Sequence, residues 1–451
     1  MKALLRIFIL LPLVLQAEQP VKIATFRADA TPPLGSPLCN GGVNPATEII
    51  QPLEAIGLVI VVPKQRPIVL CAVDWTGIGN DSNKAWRSAL AKSAGTTPDR
   101  VTVHSLHQHD APGCDYSTVK LLADYGLDEL FSNSQHTRKV IAATAAALKK
   151  SLEQLQPITH VGFGKAKVEK FASNRRLLGP DGKVLHVRFS KCANPKIRAL
   201  PEGVIDPYVR LLSFWHDNKP LAILSYYATH PQSYYGRGGV SPDTVGIARQ
   251  IRAKKIPEAV HIHFTGAGAN VAAGKYNDGS RENRAILASR LASGMESAWK
   301  STRKTPLRPE HIEWKTKSVV LPLRDMYQDV SVMENVLKDP RAGTSSRIRA
   351  ARNIVWAQRV KAKDPILLSR LRLGRESILH FPGELFVEYQ LAAQKLRPND
   401  FVAMAAYGDY APGYIGDAIS YTQGGYETGS VSRVGPEVEN VLMDALKELL
   451  K

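Results

Sequence analysis

The sequence predicts an α/β fold, with a mixed β-sheet core and flanking helices in a single large domain. Two observations point there. Short runs rich in β-branched residues, bounded by Pro or Gly, alternate along the chain with segments of helical periodicity. No internal repeat, low-complexity tract or long linker interrupts this alternation across 451 residues, so one continuous unit is favoured over two medium domains.

At the N-terminus, Lys2 and Arg6 precede the apolar run Ile7 to Leu15, and the small Ala17 comes just before Glu18. A charged start, a short apolar middle and a small residue describe a cleavable secretory signal over residues 1–17, and the run is too short for a permanent bilayer span. A mature chain of residues 18–451, secreted or periplasmic, is therefore expected. Its first strands are read in VKIATFRADAT, AIGLVIVV and RPIVLCAVDWTGI. Helices follow over Ser82 to Ser93, Thr137 to Leu155 and Arg281 to Trp299, where apolar residues recur at helical spacing. Strand signals return in THVGFGKAKV, YVRLLSFWH, LAILSYYATH, AVHIHFTGAG, SVVLPLR and ESILHFPGE, and a charged helical hairpin broken by KDPRAGTSS spans about 329–360.

Fifty-nine basic and 41 acidic residues give a net charge of +18, or +16 once Lys2 and Arg6 leave with the signal. Such a chain is suited to peripheral contact with an anionic membrane or polymer surface, although a solvated basic surface is the commoner meaning. The cations are dispersed and no nucleic-acid-binding pattern is present, which excludes a nucleic-acid partner. The four cysteines form no CxxC pair. Cys71 reads as a buried hydrophobe, and a bridge between Cys39 and Cys114, both in Gly/Pro-rich loops, is open.

Chemistry concentrates at strand ends. The alternating VTVHSL, Val101 to Leu106, reads as a strand. Beyond it His107 and His109 can share one face before Pro112 and Gly113 turn the chain. Paired imidazoles at a strand mouth suit metal binding or acid–base work, whereas a lone histidine is more often a packed core residue. A catalytic zinc takes about three protein ligands plus an open position, so one loop does not complete a site. Three further loops offer donors: LSYYATHPQSYYG with His230, ILHFPGELFVEY with Glu384, and the tyrosine-crowded YGDYAPGYIGDAISYTQGGYE. Taken singly, His230 reads as a core packer, Glu384 as a carboxylate complementing a helix N-terminus, and the tyrosines as loop packing.

Together these stretches resemble the neutral (non-lysosomal) ceramidases, exported zinc amidases that cut the N-acyl bond of ceramide. HQHDAPG is similar to that family's His-Thr-His-Ser-x-Pro-Gly loop, with Gln108 and Asp110 substituted. THPQSYY resembles its strand-end histidine, FPGE its Pro-Gly-Glu, and YIGDAISYTQGGYE its tyrosine segment, with tyrosines seven and five residues apart at 414, 421 and 426. The likeness runs from DATPP to about Glu427, as for a divergent, shorter bacterial-type member. It implies a zinc-dependent amidohydrolase acting on a linear, ceramide-like amide, with Zn2+ held by His107, His230, Glu384 and Tyr414. It makes His109 the imidazole beside the metal water, and turns Arg175 of FASNRR and Tyr426 toward the scissile carbonyl. His104 has no counterpart and is left structural.

The donor set agrees with zinc, which lowers the pKa of bound water to about 7. His109 would then relay a proton, and Arg175 and Tyr426 would hydrogen-bond the developing oxyanion. Some residues depart from the pattern. Asp110 replaces a Ser, Cys114 a Gly and Asn270 an Asp, and the 329–360 hairpin has no clear equivalent. A phosphate loop in GAGANVAAGKYNDG is excluded, because GxxxxGK spacing is absent and Tyr276 follows Lys275. Two alternatives stand beside the small-molecule or lipid amide. One is the same chemistry on a non-lipid amide or ester, such as an acylated sugar or cell-wall fragment. The other is a non-catalytic protein whose basic surface binds anionic polymer.

Overall fold

Three β-sheets, each mostly antiparallel but ending in one parallel pair, set the architecture of the computed structural model, which describes residues 19–451. The expected signal segment 1–17 lies outside the described residues. The first sheet runs Val101–Ser105, Ile68–Val73, Glu54–Val61, Lys22–Asp29, Gln156–Pro157. The second runs Val260–Thr265, Lys219–Tyr227, Tyr208–His216, His160–Lys167, Arg303–Pro306. The third runs Ile312–Val319, Ile366–Leu373, Glu376–His380, Val402–Ala405. In each sheet the parallel partner is an edge strand: Val101–Ser105, Val260–Thr265 and Val402–Ala405. This is the mixed α/β architecture expected from the sequence.

Period-two alternation divides the first sheet between two layers. Ile56, Leu58, Ile60, Ile68 and Leu70 pack toward Leu211, Phe214, Leu224 and Ile262 of the second sheet. Their neighbours Val59, Val69, Cys71 and Val73 face Trp86, Leu90 and Val140, on helices Asn80–Ala94 and Ser134–Ser151. Helices Asp243–Lys255 and Glu282–Lys300 flank the second sheet, and Val387–Leu396 and Val438–Leu450 flank the third.

The ends of the three parallel edge strands meet. Ser105 N donates to Tyr407 O at 3.1 Å and Ala406 N to Thr265 O at 2.9 Å. Thr265 Oγ1 donates to Leu106 O at 2.9 Å. Backbone groups that an open sheet edge would leave to water are thus paired, and the loops leaving these carboxyl ends converge.

Most expected elements form within a few residues of their reading, and the 329–360 hairpin is Ser331–Lys338 followed by Thr344–Lys361. Two strands differ. SVVLPLR was read as a strand, but the strand is Ile312–Val319 and the chain leaves the sheet before Pro322. Lys315 and Lys317 disguise this strand because it lies at a sheet edge, where charge is tolerated. Ile366–Leu373 escaped the hydrophobic pattern through Arg370, whose Nη1 donates to Leu449 O at 2.7 Å at a helix end. All four cysteines are free thiols, so Cys39 and Cys114 are not bridged. Among the described residues no helix is long and apolar enough to cross a membrane.

A buried ion cluster joins the first sheet to helix Asp243–Lys255, which flanks the second. Arg249 reaches Asp74 at 2.6 and 2.8 Å and Glu54 at 3.0 Å. Asp74→Ala leaves this guanidinium largely uncompensated and is expected to cost about 3–5 kcal/mol, measured by denaturant unfolding. Nearby His263 is pushed down from 6.5 to about 3 by burial, with the Arg249 charge adding. The unfolded chain therefore binds one more proton than the native state below about pH 6.5, and native stability falls as pH drops through that window. Relative to His263→Gln, the native protein is expected to lose about 2 kcal/mol between pH 7.5 and pH 5. Parallel pH dependences of unfolding would contradict this.

Candidate metal centre

Each converging loop delivers a polar group to one point. His107 follows Val101–Ser105 in the left-handed region, φ 71°, a conformation costly for a residue with a Cβ. Three contacts hold it. His107 N donates to Trp75 O at 2.9 Å, Gln232 Nε2 donates to His107 O at 2.6 Å, and the ring stacks on Tyr407 with centroids 4.6 Å apart. His230 lies three residues past Lys219–Tyr227, its N–H donating to Val271 O at 2.8 Å. Beside it Gly268 passes so close that a Cβ there would stand 2.5 Å from Thr229 N. Glu384 is not at a helix N-terminus: Glu384–Leu385 forms a short parallel bridge with Tyr414–Ile415, and the helix starts at Val387. Gly383 makes the bridge possible, with φ 60° and a Cβ position 2.7 Å from Gly413 O.

Backbone carbonyls orient both rings. His107 Nδ1 is 2.8 Å from Thr76 O, and His230 Nδ1 is 2.8 Å from Gly268 O. A carbonyl only accepts, so each Nδ1 carries a proton, and the neutral form of each ring presents its lone pair at Nε2. Both Nε2 atoms lie 3.2 Å from the same Glu384 Oε2. All three residues are at most 3% exposed, and His107 Nε2 has no hydrogen-bond partner. Burial and the adjacent Arg175 push His230 down to about 4, so it is neutral near pH 7. Acceptors facing acceptors in a dry pocket repel unless a cation lies between them. The ligand atoms lie within 4.8 Å of one another, and their chemistry fits a divalent ion.

The remaining sequence-derived residues surround this cluster. Tyr414 Oη is 3.2 Å from His230 Nε2. Arg175 Nη1 is 3.1 Å from Tyr414 Oη and 3.2 Å from both His230 Nε2 and Ala269 O. Its Nε is 3.1 Å from Glu427, which is fully buried and also 3.4 Å from Arg176. Arg175 thus touches two of the expected ligands and is itself buried against them. His109 stands edge-on to His107, centroids 5.3 Å apart, and burial followed by the neighbouring imidazoles pushes its pKa well below the usual value. Tyr426 is 43% exposed, edge-on to Tyr414 at 5.7 Å, with the Arg175 guanidinium 5.6 Å from its ring centroid. His104 lies apart, bound through Nδ1 to Ala406 O at 2.7 Å. A cleft of about 390 Å³ opens onto His107, His109, Glu384, Tyr414 and Tyr426.

Sequence reasoning missed Tyr410, whose hydroxyl donates to Glu384 Oε1 at 2.8 Å, and Tyr407 under His107. The crowding of tyrosines in YGDYAPGY was their only signal. The departures from the family pattern have structural roles. Asp110 accepts from Gly236 N at 2.7 Å and pairs with Arg284 at 3.1 Å. Asn270 accepts from Val387 N at 2.9 Å, capping the helix that follows Glu384.

Two solved structures share this architecture. One is neutral ceramidase from Pseudomonas aeruginosa, 16% identical, with a TM-score of 0.69 over 96% of this chain and 74% of that one. The other is described as ceramidase complexed with C2, also 16% identical, with a TM-score of 0.70 over 96% of this chain and 75% of that one. At this identity the likeness shows the fold. No family model and no curated protein matches the sequence.

Metal analysis of the purified protein is expected to find about one divalent ion per chain, lost in His230→Ala and Glu384→Ala. Tyr410→Phe frees one carboxylate oxygen and should weaken metal affinity about 10–100-fold in chelator competition.

Proposed function

We propose that this chain is a zinc-dependent amidohydrolase that cleaves a linear N-acyl amide, of the ceramide type suggested by the names of its structural neighbours. One observation carries the reading: two imidazole Nε2 atoms, that of His107 without a hydrogen-bond partner, converge on one carboxylate oxygen beside an open cleft, an arginine and two tyrosines.

Two imidazoles, one carboxylate and a phenol oxygen form a donor set suited to zinc. Bound there, zinc supplies the Lewis acidity that makes water nucleophilic near neutral pH. His107, His230, Glu384 and Tyr414 hold the ion, with Thr76 and Gly268 carbonyls and the Tyr410 hydroxyl fixing the donors. His109, neutral and edge-on to His107 at the cleft, takes a proton from the attacking water and gives it to the leaving amine. Arg175 and Tyr426 donate hydrogen bonds to the substrate carbonyl oxygen as negative charge grows on it. Glu427 holds Arg175 in place.

The charged, apolar, small-residue order of residues 1–17 supports export to the periplasm or the medium, and a net charge of +18 supports peripheral contact with anionic surfaces. A second reading keeps the reaction but replaces the sphingolipid with another acylated amide or ester. It is favoured by three arginines lining the cleft.

Fatty-acid release should be followed from ceramide and from N-acyl amino sugars, with zinc and after chelation. Turnover of at least one amide is expected, abolished by chelation and in His107→Ala. His109→Ala should lower kcat by about 10²–10⁴ with metal retained, and Arg175→Met by about 10²–10³. Full activity in His107→Ala would overturn the assignment.

A further inference from the structure

Arg349 and Arg352 on helix Thr344–Lys361, together with Arg433, line the cleft above the acceptor cluster. Positions 349 and 352 are three apart and share one helix face. Three other arginines in the chain each have an acidic partner: Arg175 with Glu427, Arg249 with Asp74 and Arg359 with Asp409. Among the described residues no carboxylate pairs with Arg349, Arg352 or Arg433. Their contacts are neutral. Arg433, only 3% exposed, is held by Asn353 Oδ1 at 2.8 Å and Ala411 O at 3.2 Å. Arg349 reaches Ser430 Oγ at 3.3 Å, and Arg352 lies over the Tyr410 ring, 5.3 Å from its centroid.

Glu384 is the one carboxylate on the cleft lining, and it belongs to the metal cluster. A buried guanidinium without an ion-pair partner is costly, and the Asp115 carboxylate offsets it only from beyond salt-bridge distance. Burial and the nearby Arg352 push Arg433 down to about 9, so the two cations also oppose each other. An anion between them relieves both strains. Guanidinium groups present forked donors that match carboxylate and phosphate oxygens. Tyr410 fixes the distance to the chemistry: its ring lies beneath Arg352 while its hydroxyl donates to Glu384 at 2.8 Å.

We infer that the substrate of this cleft is anionic, and that its carboxylate or phosphate group docks against Arg352 and Arg433 one tyrosine ring away from the metal ligands. The bond that is cleaved rests on the amidohydrolase reading above; the anion site does not. A neutral amide, ceramide itself included, would leave the arginines uncompensated and is the weaker substrate, so selectivity is expressed in binding.

Two matched pairs test this in the purified protein: N-dodecanoylglycine against N-dodecanoylglycinamide, and N-dodecanoyl-O-phosphoethanolamine against N-dodecanoylethanolamine. The anionic member of at least one pair is expected to show about a tenfold or greater advantage in kcat/KM, carried by KM, and the better pair tells carboxylate from phosphate. Arg352→Gln should reduce that advantage to about threefold or less. Arg433→Gln should do the same where it folds, and Arg352, less deeply buried, keeps the test open where it does not. Equal constants within both pairs, or an advantage that survives both substitutions, would overturn the inference, the latter marking capture by the metal alone. Calorimetric binding of the same four compounds separates the two readings. An anion preference that disappears in Arg352→Gln without any turnover would sink the amidase and keep the anion site; equal affinities would sink the anion site whatever the turnover.

Discussion

Two backbone carbonyls, those of Thr76 and Gly268, decide what this site is. By accepting from Nδ1 of His107 and His230 they fix both tautomers and aim two unprotonated Nε2 atoms at one Glu384 oxygen. Without those carbonyls either ring could rotate or carry its proton at Nε2, and the three residues would form an ordinary buried hydrogen-bonded cluster. With them, the neutral rings turn acceptor nitrogens toward the carboxylate oxygen, an arrangement that suits a cation.

Both carbonyls are placed by the meeting of the sheets. Thr76 follows Ile68–Val73 in the first sheet, and Gly268 follows Val260–Thr265 in the second. Each sheet closes with a parallel edge strand, and a parallel pair sends both carboxyl ends the same way, as in open α/β sheets that bind ligands beyond their strand ends. Three such ends brought together by backbone hydrogen bonds supply His107, His230, Glu384 and Tyr414 from four loops. The arrangement carries strain, since both His107 and Tyr407 adopt positive φ and stack on each other. Strain of this kind persists where surrounding structure over-determines it. Here Arg249, bonded to Asp74 and Glu54 from helix Asp243–Lys255, is part of that rigid surround.

The sequence made the side-chain donors legible because they stand at the ends of alternating apolar strands beside Pro and Gly. HQHDAPG, THPQ and FPGE each announce a strand mouth with a polar tip. Tyr410 and Glu427 were less visible, being one tyrosine among several and one acid after another loop. The carbonyls of Thr76 and Gly268 carry no side-chain signal at all, since any residue supplies a C=O and only the fold gives it direction. The same limit hid the strand Ile366–Leu373, whose Arg370 finds its partner on a distant helix end. The cleft arginines were hidden for the opposite reason: in a chain with 59 basic residues, three more charges are unremarkable until the fold removes them from carboxylates.

Charge at the site gives that placement its consequence. Glu384 and Glu427 contribute two negative charges, and Arg175 and Arg176, which contact Glu427, return the balance to zero before any metal binds. A divalent ion bound there would add two uncompensated positive charges, and Arg352 and Arg433 add two more along the cleft. A metal site with two carboxylate ligands would spend much of that field on its own protein. This one, with a single carboxylate, leaves the field for whatever enters: on the proposed reading, the oxygen that would gain charge as an amide is attacked, and an anionic group carried by the substrate. Transition-state stabilisation and substrate selection then have one electrostatic origin, so a change that neutralises the cleft should affect both, while a change at a remote surface cation should affect neither.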